Sequence, residues 1–256
     1  MIAKADAPSA LRDRARVVLW GVAIVGAIQV AGAYLAQRHA AAVVVQLIIA
    51  EFGTGQLGVS WSDPLAAVPT GVMIARRALR GVALGAAAAV VLLGASVLFH
   101  ASELALGTFG VAPLVVGLVA SAATAARDEL VLRGLVLRAL GPRAGFRTKL
   151  AVCAAAGVAW RFGIQPGAPW PALAFSGLAG ASFAALWIRD RGAWLAVGAN
   201  AAFTFTTGTL AQGALLDVSG PVALDASHVA AICGVFFAAS AVAYANGRKD
   251  AAPQTG

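Results

Sequence analysis

The residues able to do chemistry are concentrated in one stretch. Asp128, Glu129 and Arg133 lie in an apolar run, Ala125-Ala126-Arg127-Asp128-Glu129-Leu130-Val131-Leu132-Arg133-Gly134, that continues to Leu140. The run contains no proline and no β-branched cluster, so it reads as helix. Glu129 and Arg133 are then one turn apart with the acid N-terminal, the favourable order for a pair on one face. Asp128 sits about 100° round the helix. If the helix leaves a membrane near Leu140, Asp128 is about 18 Å deep at 1.5 Å per residue. Ionisable groups at such depth persist when they pair, line a water-filled cavity, or do work.

Three more polar residues could share that layer. Arg161 lies well into the next apolar segment, about 20 Å from its start at Thr148. Asn200 and Thr204 occupy one face, at i and i+4, of a segment beginning at Ala193. Two acids with Arg133 and Arg161 make the layer formally neutral. Such a layer is either a structural ion-pair cluster or a catalytic or transport site, and the residues alone leave both readings open.

The elements that position these groups must be membrane helices. Of 256 residues, 60% are apolar and 12% charged, and the mean hydropathy is +0.83. A soluble domain carries roughly a quarter charged residues. Runs at 17–36, 81–99, 172–188 and 229–245 approach the roughly 20 residues that cross a bilayer. The expected fold is therefore an all-α, multi-pass transmembrane bundle of about eight helices, at 17–36, 40–58, 78–99, 110–140, 148–164, 171–188, 193–211 and 227–246. The second is short and followed by Gly53, Gly55 and Gly58, so it reads as a tilted or re-entrant span.

The net charge of +8 does not point to nucleic acid, because basic residues sit at the ends of apolar runs. Placing Lys4 to Arg16, Arg76/Arg77/Arg80, Arg143/Arg147/Lys149, Arg189/Arg191 and Arg248/Lys249 inside leaves Arg38 as the outer basic loop residue. This predicts cytoplasmic termini and a bacterial inner membrane. The expected divisions are a cytoplasmic tail at 1–16, N-terminal helices and a loop at 17–77, a membrane core at 78–246, and a disordered tail at 247–256. The first apolar stretch is too long for a signal peptide and reads as a retained helix. Residues 1–12 read as disordered too.

The string Asp128-Glu129-Leu130-Val131-Leu132-Arg133 resembles the Glu-Glu-x-x-x-Arg signature of the CPBP family of intramembrane endopeptidases. That family includes type II CAAX prenyl proteases and bacteriocin-processing or immunity proteins. Its second motif, Phe-x-x-x-His, is matched by Gly157-Val158-Ala159-Trp160-Arg161. Its third, His-x-x-x-Asn, follows a Trp-containing turn and is matched from Arg189 through Trp194 to Asn200 and Thr204. The similarity covers about 78–211. The resemblance implies an endopeptidase acting on membrane-associated proteins, possessing no cofactor, in which the first acid activates a water. Asp128 would be that base, supported by Glu129 and Arg133. Arg161 and Asn200 would occupy the two histidine positions and Thr204 the asparagine position.

These departures from the motif imply a weakened enzyme. An Asp carboxylate sits about 1.5 Å further back than a Glu, where a misplacement of about 1 Å can cost roughly 10²-fold. Arginine cannot shed a proton, and Asn200 can donate but cannot shuttle one. The reading is therefore a CPBP-like protein with reduced or lost activity, in which Arg161 pairs with Asp128 or Glu129. The alternatives are a pseudoprotease scaffold that binds a membrane-protein partner, and a small-molecule transporter, against which the lack of inverted repeats argues.

The remaining candidates have structural explanations. His39, His100 and His228, with Glu103 and Asp225, fall near outer loops and read as solvated groups rather than a metal site. Cys153 and Cys233 read as small buried hydrophobes. Trp20, Trp61, Trp170, Trp187 and Trp194 read as interfacial anchors. Gly81 and Gly85 form a small-xxx-small pair expected to let two helices approach closely.

Overall fold

A computed structural model describes residues 7–62, 69–99, 102–108, 110–212, 215–219 and 223–247. Its helices are α1 (Ala7–Tyr34), α2 (His39–Gly55), α3 (Gly71–Leu98), α4 (Val111–Asp128), α5 (Leu135–Leu140), α6 (Phe146–Ile164), α7 (Trp170–Asp190), α8 (Trp194–Phe205) and α9 (Ala223–Asn246). A π-helical segment, Glu129–Gly134, joins α4 to α5, and another, Thr206–Leu210, extends α8. Counting α4 through α5 as one rod gives eight rods in the expected order. Four are long and apolar enough to cross a bilayer: Arg12–Tyr34, Gly71–Leu98, Trp170–Asp190 and Ser227–Asn246. The chain is a multi-pass helical membrane bundle.

The boundaries differ from expectation in three places. Helix α1 begins at Ala7, so residues 7–12 are helical rather than a disordered tail; Pro8 is compatible with a first helical turn, where no backbone N–H partner is needed. Residues 1–6 and 248–256 lie outside the described residues, as does His100. Helix α3 begins at Gly71, crossing the expected division at 77/78, because the Thr70 hydroxyl caps it by accepting from the Met73 N–H at 3.4 Å. Strands β1 (Glu103–Leu106) and β2 (Leu216–Ser219) form an antiparallel ribbon that the helical reading did not anticipate.

Contacts at the rod ends show how the rods alternate. At one face, Arg138 donates to the Leu57 carbonyl at 3.2 Å and to Asp13 at 3.0 Å. There too Arg77 pairs with Asp190 at 3.2 Å, and Arg189 lies over the Tyr244 ring at 4.6 Å. The opposite face carries the β1–β2 ribbon and the edge-on contact of Trp170 with His228 at 5.5 Å. The start of α1 and the end of α9 thus share the face rich in arginine, as an even number of rods requires.

Glycines set the closest approaches. A Cβ on Gly81 or Gly85 would collide with the backbone of Leu195 or Ala199, and one on Gly198 would meet Ala78. The small-residue pair therefore does bring α3 and α8 into backbone contact. Gly157 and Gly180 do the same for α6 and α7, where an added Cβ would lie 2.5 Å from the Ser176 carbonyl and 2.6 Å from that of Cys153.

Three of the tryptophans are not lipid-facing anchors. Trp187 is buried. Trp61 stacks on Trp194 at 5.2 Å, its indole donates to Glu51 at 3.0 Å, and the Ala193 N–H donates to its carbonyl at 2.9 Å. These bonds pin the loop after α2 to the α7–α8 turn, so internal pairing governs where the rings sit. Trp20 and Trp170 are exposed, as anchors would be.

Candidate functional site

Helix α4 ends on Arg127 and Asp128, and the π segment then carries Glu129 and Arg133. All six residues of that segment are buried. Single π turns are frequent at functional sites because they re-aim side chains without ending the helix. Arg133 Nη1 lies 3.4 Å from Glu129 Oε1 and donates at 3.3 Å to the Asp128 carbonyl at the α-to-π junction. The i,i+4 pairing expected from the sequence is present, although the backbone beneath it is not purely α-helical.

Glu129 is the most enclosed charged group, with 0% exposure. Its Oε1 also accepts from Asn200 Nδ2 at 3.2 Å, and Asn200 Oδ1 accepts from the Thr204 hydroxyl at 3.3 Å. Arg133 stacks over the Phe183 ring at 5.1 Å, within cation–π range. Glu129 Oε2 and Arg133 Nε are buried and make no hydrogen bond within the described residues. An isolated buried carboxylate is costly, so the Arg133 charge and the Asn200 amide are what make Glu129 tolerable here.

Asp128 faces a different partner. Its Oδ1 accepts from Arg127 Nε at 2.8 Å and lies 2.6 Å from Nη2. Arg127 also donates to Gln46 Oε1 and sits 5.4 Å from the Trp160 ring centroid. Gln46 donates in turn to the Ile28 carbonyl at 3.1 Å. Helices α1 and α2, outside the expected core, therefore buttress the acidic pair through one glutamine.

The expected pairing of Arg161 with Asp128 or Glu129 does not form. Arg161 is half-buried near the end of α6, and within the described residues its side chain makes neither a hydrogen bond nor an ion pair. The reason lies in geometry: Trp160, one residue and about 100° earlier, faces the layer and covers Arg127. The layer is still neutral, with Arg127 and Arg133 against Asp128 and Glu129. Asp128, Glu129, Arg133, Asn200 and Thr204 are brought together, and Arg161 is not. Arg127, Gln46, Trp160 and Phe183 were missed as site residues. Arg127 and Gln46 were visible as polar residues within apolar runs, but the two rings gave no signal.

Two cavities adjoin the layer through α8. One, of about 200 Å³, lies among α3, α7, α8 and α9 and is lined mainly by Leu84, Phe175, Phe183, Phe203, Phe237 and Tyr244. The other, of about 730 Å³, lies between α4 and the end of α8 and has many hydroxyls in its wall.

The layer sets amide and guanidinium donors beside a fully buried carboxyl group. No histidine joins it among the described residues, so any proton transfer would have to use the carboxylates themselves. No curated protein and no solved structure matches the chain. Residues 110–206 match the family model for Rce1-like proteins, the type II CAAX prenyl endopeptidase Rce1-like group. The segment that holds Asp128, Glu129, Arg133, Arg161, Asn200 and Thr204 is thus the part similar to that family, in agreement with the CPBP resemblance of its motifs.

Proposed function

We propose that this CAAX-protease-like membrane protein has reduced or lost endopeptidase activity and uses its charged layer chiefly to fasten α4 to α8 and to α2. The observation carrying this reading is that each carboxylate is already held by an arginine, Asp128 by Arg127 at 2.6 Å and Glu129 by Arg133 at 3.4 Å. A general base needs a lone pair aimed at water and a proton affinity near the working pH. On Asp128 Oδ1 and on Glu129 Oε1 a guanidinium already occupies the place a water would take. Of the two positions that would supply histidines in the family, one is Arg161, which cannot release a proton and stands apart from the layer, and the other is Asn200, which cannot shuttle one.

The test is incubation of purified protein with a panel of prenylated and transmembrane peptides, alongside Glu129→Ala and Asp128→Ala. The expected outcome is no cleavage by folded wild-type protein. Cleavage that disappears in either variant would overturn the reading and identify a peptidase of altered mechanism.

A second reading, a scaffold that binds the apolar tail of a membrane-protein partner, is favoured by the aromatic cavity beside Phe183. Its polar and apolar surroundings meet at Arg133, so a tail seated there would report to the charged layer. Stoichiometric co-purification of one partner, lost when Ala179→Trp fills the cavity, would support it. The basic clusters place the arginine-rich face in the cytoplasm on this reading.

A further inference from the structure

Three hydroxyls of the larger cavity are used differently from several others in the bundle. Elsewhere, Ser96, Ser176, Ser182 and Thr207 turn back on the carbonyl four residues earlier, at 2.8–3.0 Å. That bond is the usual way for a membrane helix to silence a hydroxyl. Ser121, Thr124 and Thr209, which line the cavity, make no hydrogen bond within the described residues. A hydroxyl withdrawn from water without a partner is costly. Three in one wall, in a space of about 730 Å³, call for water as their partner, and the space has room for many water molecules.

The cavity has a direction. Thr108 and Gln212, both exposed, lie beside the β1–β2 ribbon, so the mouth is at the ribbon face. Its inner end is at Thr124 and Thr204. Thr124 is one turn before Asp128, and Thr204 donates to Asn200, which donates to Glu129. Among the described residues no charged side chain lines the cavity, so it suits water and small neutral solutes rather than ions. We infer that this cavity is a hydrated vestibule supplying water to the Asn200–Glu129 layer from the ribbon face, opposite the arginine-rich face. The inference stands whether or not the layer is catalytic.

The full-length chain in sealed vesicles tests this. Thr124→Cys and Ser121→Cys are made with Cys153 and Cys233 replaced by alanine, and labelled with a membrane-impermeant maleimide. Glu103→Cys marks the ribbon face and Arg147→Cys the arginine-rich face. Thr124→Cys is expected to label from the same side as Glu103→Cys. Adding Gly208→Phe should abolish that labelling, because nothing lies within 4 Å of a Cβ built on Gly208 and the ring would fill the cavity. If the cysteine-free background extracts poorly, the native cysteines, both buried, are retained and the parent's labelling is subtracted. Labelling from the Arg147 side, or only by a membrane-permeant maleimide, would overturn the inference.

Discussion

Helix α8 meets α3 and α4 by opposite means. Against α3 it offers Gly198 and Ala199 to Gly81 and Gly85, and the contact is backbone on backbone with no polar side chain needed. Against the end of the α4 rod it offers Asn200 to Glu129, a single hydrogen bond in a buried setting. The first contact fixes distance, since any added Cβ collides. The second fixes identity, because Glu129 accepts only a donor at that point. A helix held rigidly on one side can present one amide accurately on the other.

The largest expected effect comes from breaking the polar side. Arg133→Ala strands Glu129 with only Asn200, and breaking a buried pair by removing one partner costs about 3–5 kcal/mol. Thermal unfolding of detergent-extracted protein should show it. The double change Arg133→Met with Glu129→Gln, which removes both charges, should recover most of the loss. If the double variant is as unstable as Arg133→Ala, the layer contributes more than charge balance.

Overfilling the glycine side should cost somewhat less. Gly85→Val forces α3 from α8, with an expected loss of about 1–3 kcal/mol. A fall in stability equal to that of Arg133→Ala would mean that the distance set by glycine controls the Asn200–Glu129 bond as well. Next, Asn200→Ala removes one donor while leaving Arg133 in place, for roughly 1–3 kcal/mol by the same measurement. Arg161→Ala should be the mildest, within about 0.5 kcal/mol of wild type and indistinguishable from Arg161→His. A loss of the Arg133→Ala size would restore Arg161 as a partner of the acids.

What the sequence showed of all this depended on range. Helix order, the pairing of Glu129 with Arg133 and the Gly81/Gly85 approach were readable because each follows from spacing along one helix. The facing of Asn200 toward Glu129 was readable only as two depths that agreed. Arg161 was misplaced by depth reasoning of the same kind: depth locates a layer but not an azimuth, and Trp160 proved to be the residue facing in. Gln46 was hidden in a short helix that looked peripheral, and its role comes from α1 and α2 packing against Arg127, which lies 81 positions further along the chain. The ribbon was missed because two four-residue strands are too short to show a period against so apolar a background.

The π segment at Glu129–Gly134 bears on which length changes this chain can absorb. A π turn bonds i to i+5 where an α turn bonds i to i+4, so it holds one residue more than the path requires. Losing a residue there, at Val131 for instance, restores an ordinary turn while both flanks keep their orientation. Losing one from α4 itself, at Ala122, would rotate everything beyond it by about 100°. A one-residue deletion at 129–134 should therefore disturb the flanking helices less than one in the straight parts of the rod, its cost falling instead on the Glu129–Arg133 spacing.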